Sequence, residues 1–94
     1  MDKDLVIGID SSTTATKAIA WDSQGRLVAE GRSGIPMQTP APLCYEQDPA
    51  DWWRSLCAAL GELGSKVDLG RVAALAIANQ RETIAAFDAA GQPL

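Results

Sequence analysis

Histidine is absent from the 94 residues. That removes Ser-His-Asp and Cys-His catalysis and the commonest transition-metal ligand. The two cysteines, Cys44 and Cys57, form no C-x-x-C pair and are too few for a disulfide framework or a zinc site. Free, buried thiols in a reducing compartment are the expected state. Aromatic residues are only 5% of a chain that is 47% apolar. The core should therefore be rich in alanine, closely packed and poor in large anchors. A basic stripe is also lacking: the net charge is −4, which argues against a nucleic-acid surface. The apolar run that follows Met1-Asp2-Lys3-Asp4 is too short for a signal peptide or a membrane span. A soluble, cytoplasmic protein is expected, one domain or a piece of one. A chain of this size buries roughly 60–70% of its unfolded surface, so the core is modest.

What is present centres on Asp10–Lys17, which reads Asp-Ser-Ser-Thr-Thr-Ala-Thr-Lys. It lies between two apolar runs, Leu5–Ile9 and Ala18–Trp21, so the segment reads as a β-hairpin. Its bend carries a carboxylate where the first strand ends, hydroxyls at Ser11, Ser12, Thr13, Thr14 and Thr16, and a cation at Lys17. Backbone N–H groups and small hydroxyls approach a phosphate closely, and a lysine adds a point charge. An aspartate nearby suits Mg²⁺, directly or through the ion's waters. The bend is therefore a candidate phosphate-and-magnesium loop.

The first strand is apolar on both faces up to Asp10 and should be central and covered on both sides. Gly8 admits a close neighbour. The Asp22-Ser23-Gln24-Gly25 sequence suits a type I turn with a G1 bulge. A half-exposed third strand should follow from about Arg26 to Arg32. Residues 33–47 show no periodicity and contain Gly34, Pro36, Pro40 and Pro42, so they read as a connector or loop. Asp48-Pro49 then predicts a helix start, with Asp48 as N-cap and Asp51 at the dipole's positive end. Trp52, Leu56, Ala59, Leu60 and Leu63 share one helical stripe, with the main core contact expected at Trp52 and Leu56, and Gly64 is the expected stop. Anchoring to the sheet is favoured over a ligand platform for the tryptophans. Val72–Ala78, continuously apolar, reads as a buried strand. The polar cluster Asn79–Thr83 follows, and Asp88-Ala89-Ala90-Gly91 repeats the earlier aromatic-Asp-x-x-Gly turn. A strand is expected after Gly91, so the chain reads as the N-terminal piece of something longer.

Three stretches together resemble the FGGY carbohydrate kinases, in the superfamily that also holds actin and the heat-shock chaperone ATPases. Ile7–Lys17 is similar to that family's first phosphate motif, Glu46-Gln47-Asp48-Pro49 with Trp53 to its Glu-x-Asp-Pro helix entry, and Asn79–Thr83 to the substrate loop of its glycerol kinase branch. The resemblance covers nearly the whole chain. It implies a partial ribonuclease H-like α/β fold: a mixed sheet with leading antiparallel strands and one packed helix, forming the N-terminal part of a first kinase domain over residues 1–94. It implies Asp10 beside Mg²⁺, and Ser12, Thr13, Thr14 and Lys17 around the phosphates of ATP. Arg81 and Glu82 would hold substrate hydroxyls, with Gln80 in a scaffold or ligand role. Ser12 stands where the family usually has glycine, Ala15 where serine is frequent, and Lys17 where glycerol kinases usually have arginine. The lysine keeps the charge and loses the bidentate fork.

The expected activity is transfer of the ATP γ-phosphoryl to a hydroxyl of glycerol, a pentulose or a similar polyol by the longer protein, a homo-oligomer without nucleic-acid or membrane partners. The catalytic base, an aspartate, would lie downstream of Leu94. An actin-type nucleotide module without small-molecule transfer would share the hairpin and leave Asn79–Thr83 unexplained. A complete, non-catalytic interaction domain would leave the unfinished second hairpin unexplained.

Overall fold

Alternation along the first strand decides the architecture. In the computed structural model, which describes residues 3–79 and 85–93, β1 spans Leu5–Ser11 and β2 spans Ala15–Trp21. Leu5, Ile7 and Ile9 point to one face and are buried, while Val6 and Asp10 point to the other and are exposed. β3, Leu27–Gly34, pairs antiparallel with β2, and β2 pairs antiparallel with β1. β6, Val72–Asn79, runs parallel to β1, which gives a four-stranded sheet in the order β3-β2-β1-β6. β1 is thus interior to the sheet as expected. Its two-sided cover is not observed, because the α-helix of the described residues lies on one face.

That helix, α1, spans Pro49–Gly64 and starts as the sequence predicts. The Asp48 carboxylate accepts from the Ala50 N–H, Pro49 occupies the first turn, and Asp51 forms an ion pair with Arg54 at 3.1 Å. The helix ends at Gly64 without a left-handed residue. Ser65 closes it instead: its N–H reaches the Gly61 and Glu62 carbonyls, and its hydroxyl donates to Glu62 O at 2.6 Å. An added Cβ at Gly64 would sit 3.0 Å from the Leu69 side chain, which would have to give way slightly.

α1 packs across β2 and β3, and the contact is made by small residues. Ala59 and Leu63 are fully buried against Ile7, Ile9, Ala18 and Ala20. Gly31 of β3 lies beneath them, where an added Cβ would come within 2.1 Å of the Ala59 carbonyl and 2.7 Å of the Leu63 nitrogen. The buried stripe is therefore Ser55, Ala59 and Leu63. Leu56 and Leu60 only flank it and Trp52 is half-buried outside it, which corrects the expectation that Trp52 and Leu56 would make the main contact. The reason is distance: a helix this close to a glycine has no room for an indole between layers.

Three further expectations change. β6 has the length read from the sequence, but it lies at the edge of the described sheet: Val72 packs on the core, while Leu75 and Ile77 are exposed. Cys44 and Cys57 are free, as expected, yet both are exposed. Within 33–47, a hairpin of β4, Gln38–Ala41, and β5, Cys44–Glu46, replaces the predicted loop. Its turn passes through Leu43, a non-glycine residue at φ +66° with its side chain in solvent. A left-handed leucine is uncommon enough that no sequence pattern announces it.

The two Asp-x-x-Gly turns are the same device. Asp22 Oδ1 accepts from the Gln24 and Arg26 N–H groups, and Asp88 Oδ1 from those of Ala90 and Gln92. Gly25 and Gly91 supply the positive φ, +78° and +82°. The second turn closes with a bridge between Phe87 and Pro93. At the sheet's far side a short 3₁₀ turn, Leu69–Arg71, leads into β6. There Arg71 forks onto Asp4, Nε to Oδ1 at 2.9 Å and Nη2 to Oδ2 at 2.6 Å, tying the start of β1 to the start of β6.

Two outcomes are expected. Gly31→Ala should cost about 3 kcal/mol, the upper end for overpacking, because the obstacle is helix backbone; urea denaturation measures it. Acid should also destabilise the fold in a defined direction. Asp4 is held below the usual carboxylate range by the Arg71 guanidinium, Asp22 by the Arg26 and Gln24 amides, and Glu62 by the Lys66 ammonium and then the Arg32 amide. Folded values below unfolded ones mean stability that is complete above the unfolded pKa and lost as pH falls through the folded pKa. The urea midpoint should be level above about pH 5 and fall below about pH 4. Arg71→Gln should remove the Asp4 share of that fall.

Candidate functional site

Three carbonyls of the β1–β2 bend accept hydrogen bonds from the protein itself. Ser12 donates both its N–H, at 2.9 Å, and its hydroxyl, at 3.0 Å, to Ala15 O. Thr14 O accepts from the N–H of buried Ile35 at 2.8 Å. Thr13 O accepts from Gln47 Nε2 at 2.7 Å. Thr13 and Thr14 themselves are exposed. The Thr13, Thr14 and Ala15 carbonyls are thus engaged within the protein, and backbone N–H groups and small hydroxyls are the groups a bend of this kind offers an anion.

Serine at position 12 causes no strain. It has an ordinary negative φ, and its side chain completes the turn. The five hydroxyls do not act together, however. Thr16 is fully buried on the helix face, with its hydroxyl 2.6 Å from that of Ser55, which in turn donates to Trp52 O at 3.0 Å. Thr16 therefore ties the hairpin to α1. The period of two that places Thr16 on the face of Ala18 and Ala20 was legible in the sequence; its partner was not.

On the opposite face Asp10 and Lys17 stand in direct register across β1 and β2, with Arg32 next on β3 and Ala78 on β6. Asp10 is exposed and Lys17 half-buried, and neither has an ion-pair partner among the described residues. The acid and the amine thus share one open side of the sheet beside the bend. Gly8 lies on the same side, where an added Cβ would only touch Trp21 Nε1 at 3.7 Å. β1 and β6 are parallel, so their C-terminal ends meet: Ser11 pairs with Asn79. Gln80, Arg81 and Glu82, the expected substrate residues, follow Asn79 in the chain and lie outside the described residues.

A groove of about 350 Å³ opens on the helix side, lined by Ser11, Asn79, Trp52, Trp53 and Ile77 among others. Its lining does not include Asp10, Thr13, Thr14 or Lys17. The tryptophans are therefore wall residues more than sheet anchors. Trp52 also donates through Nε1 to Gln47 Oε1 at 3.1 Å. Gln47 is the residue that the sequence does not single out: it belongs to the helix entry, and nothing in the local pattern says that the entry abuts the bend.

Residues 5–94 match the N-terminal domain of the FGGY family of carbohydrate kinases. The chain belongs to that family. Over its full length it is 35% identical to the glycerol kinase of Saccharolobus islandicus, of which it spans 19%. The xylulose kinase of Rhodospirillum rubrum superposes with a TM-score of 0.88 and 28% identity over 96% of this chain and 19% of that one. The Plasmodium falciparum glycerol kinase solved with ADP superposes with a TM-score of 0.80 and 28% identity, over 99% of this chain and 19% of that one. This FGGY chain thus spans about a fifth of the length of these relatives. The expected mixed α/β fold is the fold they share. No helix among the described residues is long and apolar enough to cross a membrane.

The Thr16–Ser55 pair gives a test of how the bend is fastened. Ser55→Ala leaves the buried Thr16 hydroxyl without its acceptor and should cost about 1–3 kcal/mol. Adding Thr16→Val removes the orphaned group, so the double variant should recover part of that loss in a thermal or urea melt.

Proposed function

We propose that this FGGY chain is the N-terminal part of the first domain of a kinase that transfers the ATP γ-phosphoryl to a hydroxyl of a small polyol or sugar. The observation that carries the reading is the bend whose Thr13, Thr14 and Ala15 carbonyls are engaged within the protein, standing beside a facing acid and amine. Phosphoryl transfer needs positioning and charge neutralisation more than covalent chemistry. Thr13, Thr14 and Lys17 supply donors and a cation to the phosphates; Ser12 shapes the turn through its bonds to Ala15 O. Relatives named for glycerol and xylulose support a polyol or ketose acceptor, and Gln80, Arg81 and Glu82, which follow Asn79 in the sequence, are its proposed contacts.

Magnesium fits these residues. Among the described residues no cluster of three or more acidic or sulfur ligands exists, but Mg²⁺ is commonly held by one or two carboxylates, its own waters and the phosphates. Asp10, exposed at the end of β1 without an ion-pair partner, is the carboxylate that would hold it. When bound, the ion neutralises charge on the phosphates. Asp10 orients that hydrated charge, Lys17 adds a second one, and the bend fixes where the phosphate sits.

The test is ADP release by the intact protein across a panel of polyols and ketoses. Phosphorylation of at least one is expected, with Asp10→Asn lowering kcat/KM by about a hundredfold. Lys17→Arg should retain more activity than Lys17→Ala. The 94-residue chain alone should be inactive. An intact protein that phosphorylates no member of the panel overturns the assignment.

A further inference from the structure

We propose that Gln47 is a positioning residue for the phosphate-binding bend, with Trp52 setting its orientation. The geometry leaves no freedom in the side-chain amide. Thr13 O can only accept and the Trp52 indole N–H can only donate, so Nε2 must face the bend and Oε1 the helix. Only a carboxamide offers a donor and an acceptor side by side for two such partners, and asparagine is one methylene shorter. The backbone behind Gln47 is itself fixed, because Asp48 caps α1 and Trp52 projects from the helix's first turns.

The consequence falls on the anion. The bend is held from two sides, by Ile35 N–H at Thr14 O and by Gln47 at Thr13 O. If Thr13 O were released, its peptide could rotate and set a carbonyl dipole toward the phosphate in place of an N–H. Gln47 keeps that peptide turned the right way, although it stands outside the binding residues. The functional half of this inference rests on the kinase reading; the clamp on the bend does not.

Gln47→Glu is the sharp variant, because it keeps size and the acceptor for Trp52 but replaces the donor with a carboxylate against Thr13 O. In the intact protein it should raise the KM for ATP about fivefold or more, the worth of one hydrogen bond. The KM for the acceptor should change by less than about twofold, a difference within the spread of one weak contact. Trp52→Phe should have a smaller effect in the same direction and add nothing in the Gln47→Glu background, since it acts through Gln47. Independently, hydrogen exchange at the Ser12 and Ile35 amides, which bond within the bend, should quicken in Gln47→Glu. If both KM values are unchanged while only the melting temperature falls, the positioning role is overturned. If the wild-type protein proves inactive as a kinase, exchange decides the clamp alone: quickened Ser12 and Ile35 amides support it, and unchanged ones overturn it.

Discussion

The separation between α1 and β3 is the constraint on which the rest depends. It is set at Gly31, where helix backbone occupies the space a side chain would need. That closeness explains a core of alanines with Leu5 and Leu63 as its largest fully buried apolar members. It explains why the buried polar contact between the layers is a pair of short hydroxyls, Thr16 and Ser55. It also pins the start of α1 against the β1–β2 bend, since Gln47 and Trp52 are fixed by the same docked helix. Packing and chemistry are thus linked through one short interlayer distance.

The site divides by face. The helix side of the sheet is spent on stability, and where it is not, it leaves the groove beside Trp52 and Trp53. The opposite side holds Asp10 and Lys17 in register and is open. A period-two strand cannot place adjacent residues on one face, so Thr16 and Lys17 have different tasks although they are neighbours. The bend belongs to neither face and is stabilised from both the helix entry and the β3–β4 connector. This arrangement suits a phosphate site: rigid, polar and held at the end of a hairpin.

Local patterns were the legible part of the sequence. The hairpin, the Asp48-Pro49 helix entry and the two Asp-x-x-Gly turns each rest on backbone chemistry confined to a few residues, and each was read correctly. What depended on distant neighbours was not. Val72–Ala78 is apolar, but burial is a property of what lies over a strand, and among the described residues α1 lies mainly over β2 and β3. Cys44 and Cys57 follow residue-type preference into the interior only on average. The β4–β5 hairpin turns at a left-handed leucine that no turn signature marks. For the proposed phosphate site, residue type and hairpin spacing single out Asp10, Thr13, Thr14 and Lys17, whereas Gln47 requires knowing that the helix entry returns to the bend.

The parallel pairing of β1 with β6 carries a consequence for the order of assembly. β1, β2 and β3 are joined by tight turns and can zip locally, but Leu5 meets Val72 only after the whole helical connection has been made. Closing so long a stretch of chain costs entropy before any contact rewards it, which makes such pairings slow. The Asp4–Arg71 fork then acts as a latch at the seam, engaged when the late strand arrives. The β1–β2 bend is therefore built from early structure, and Asn79, the strand partner of Ser11, is delivered to it last.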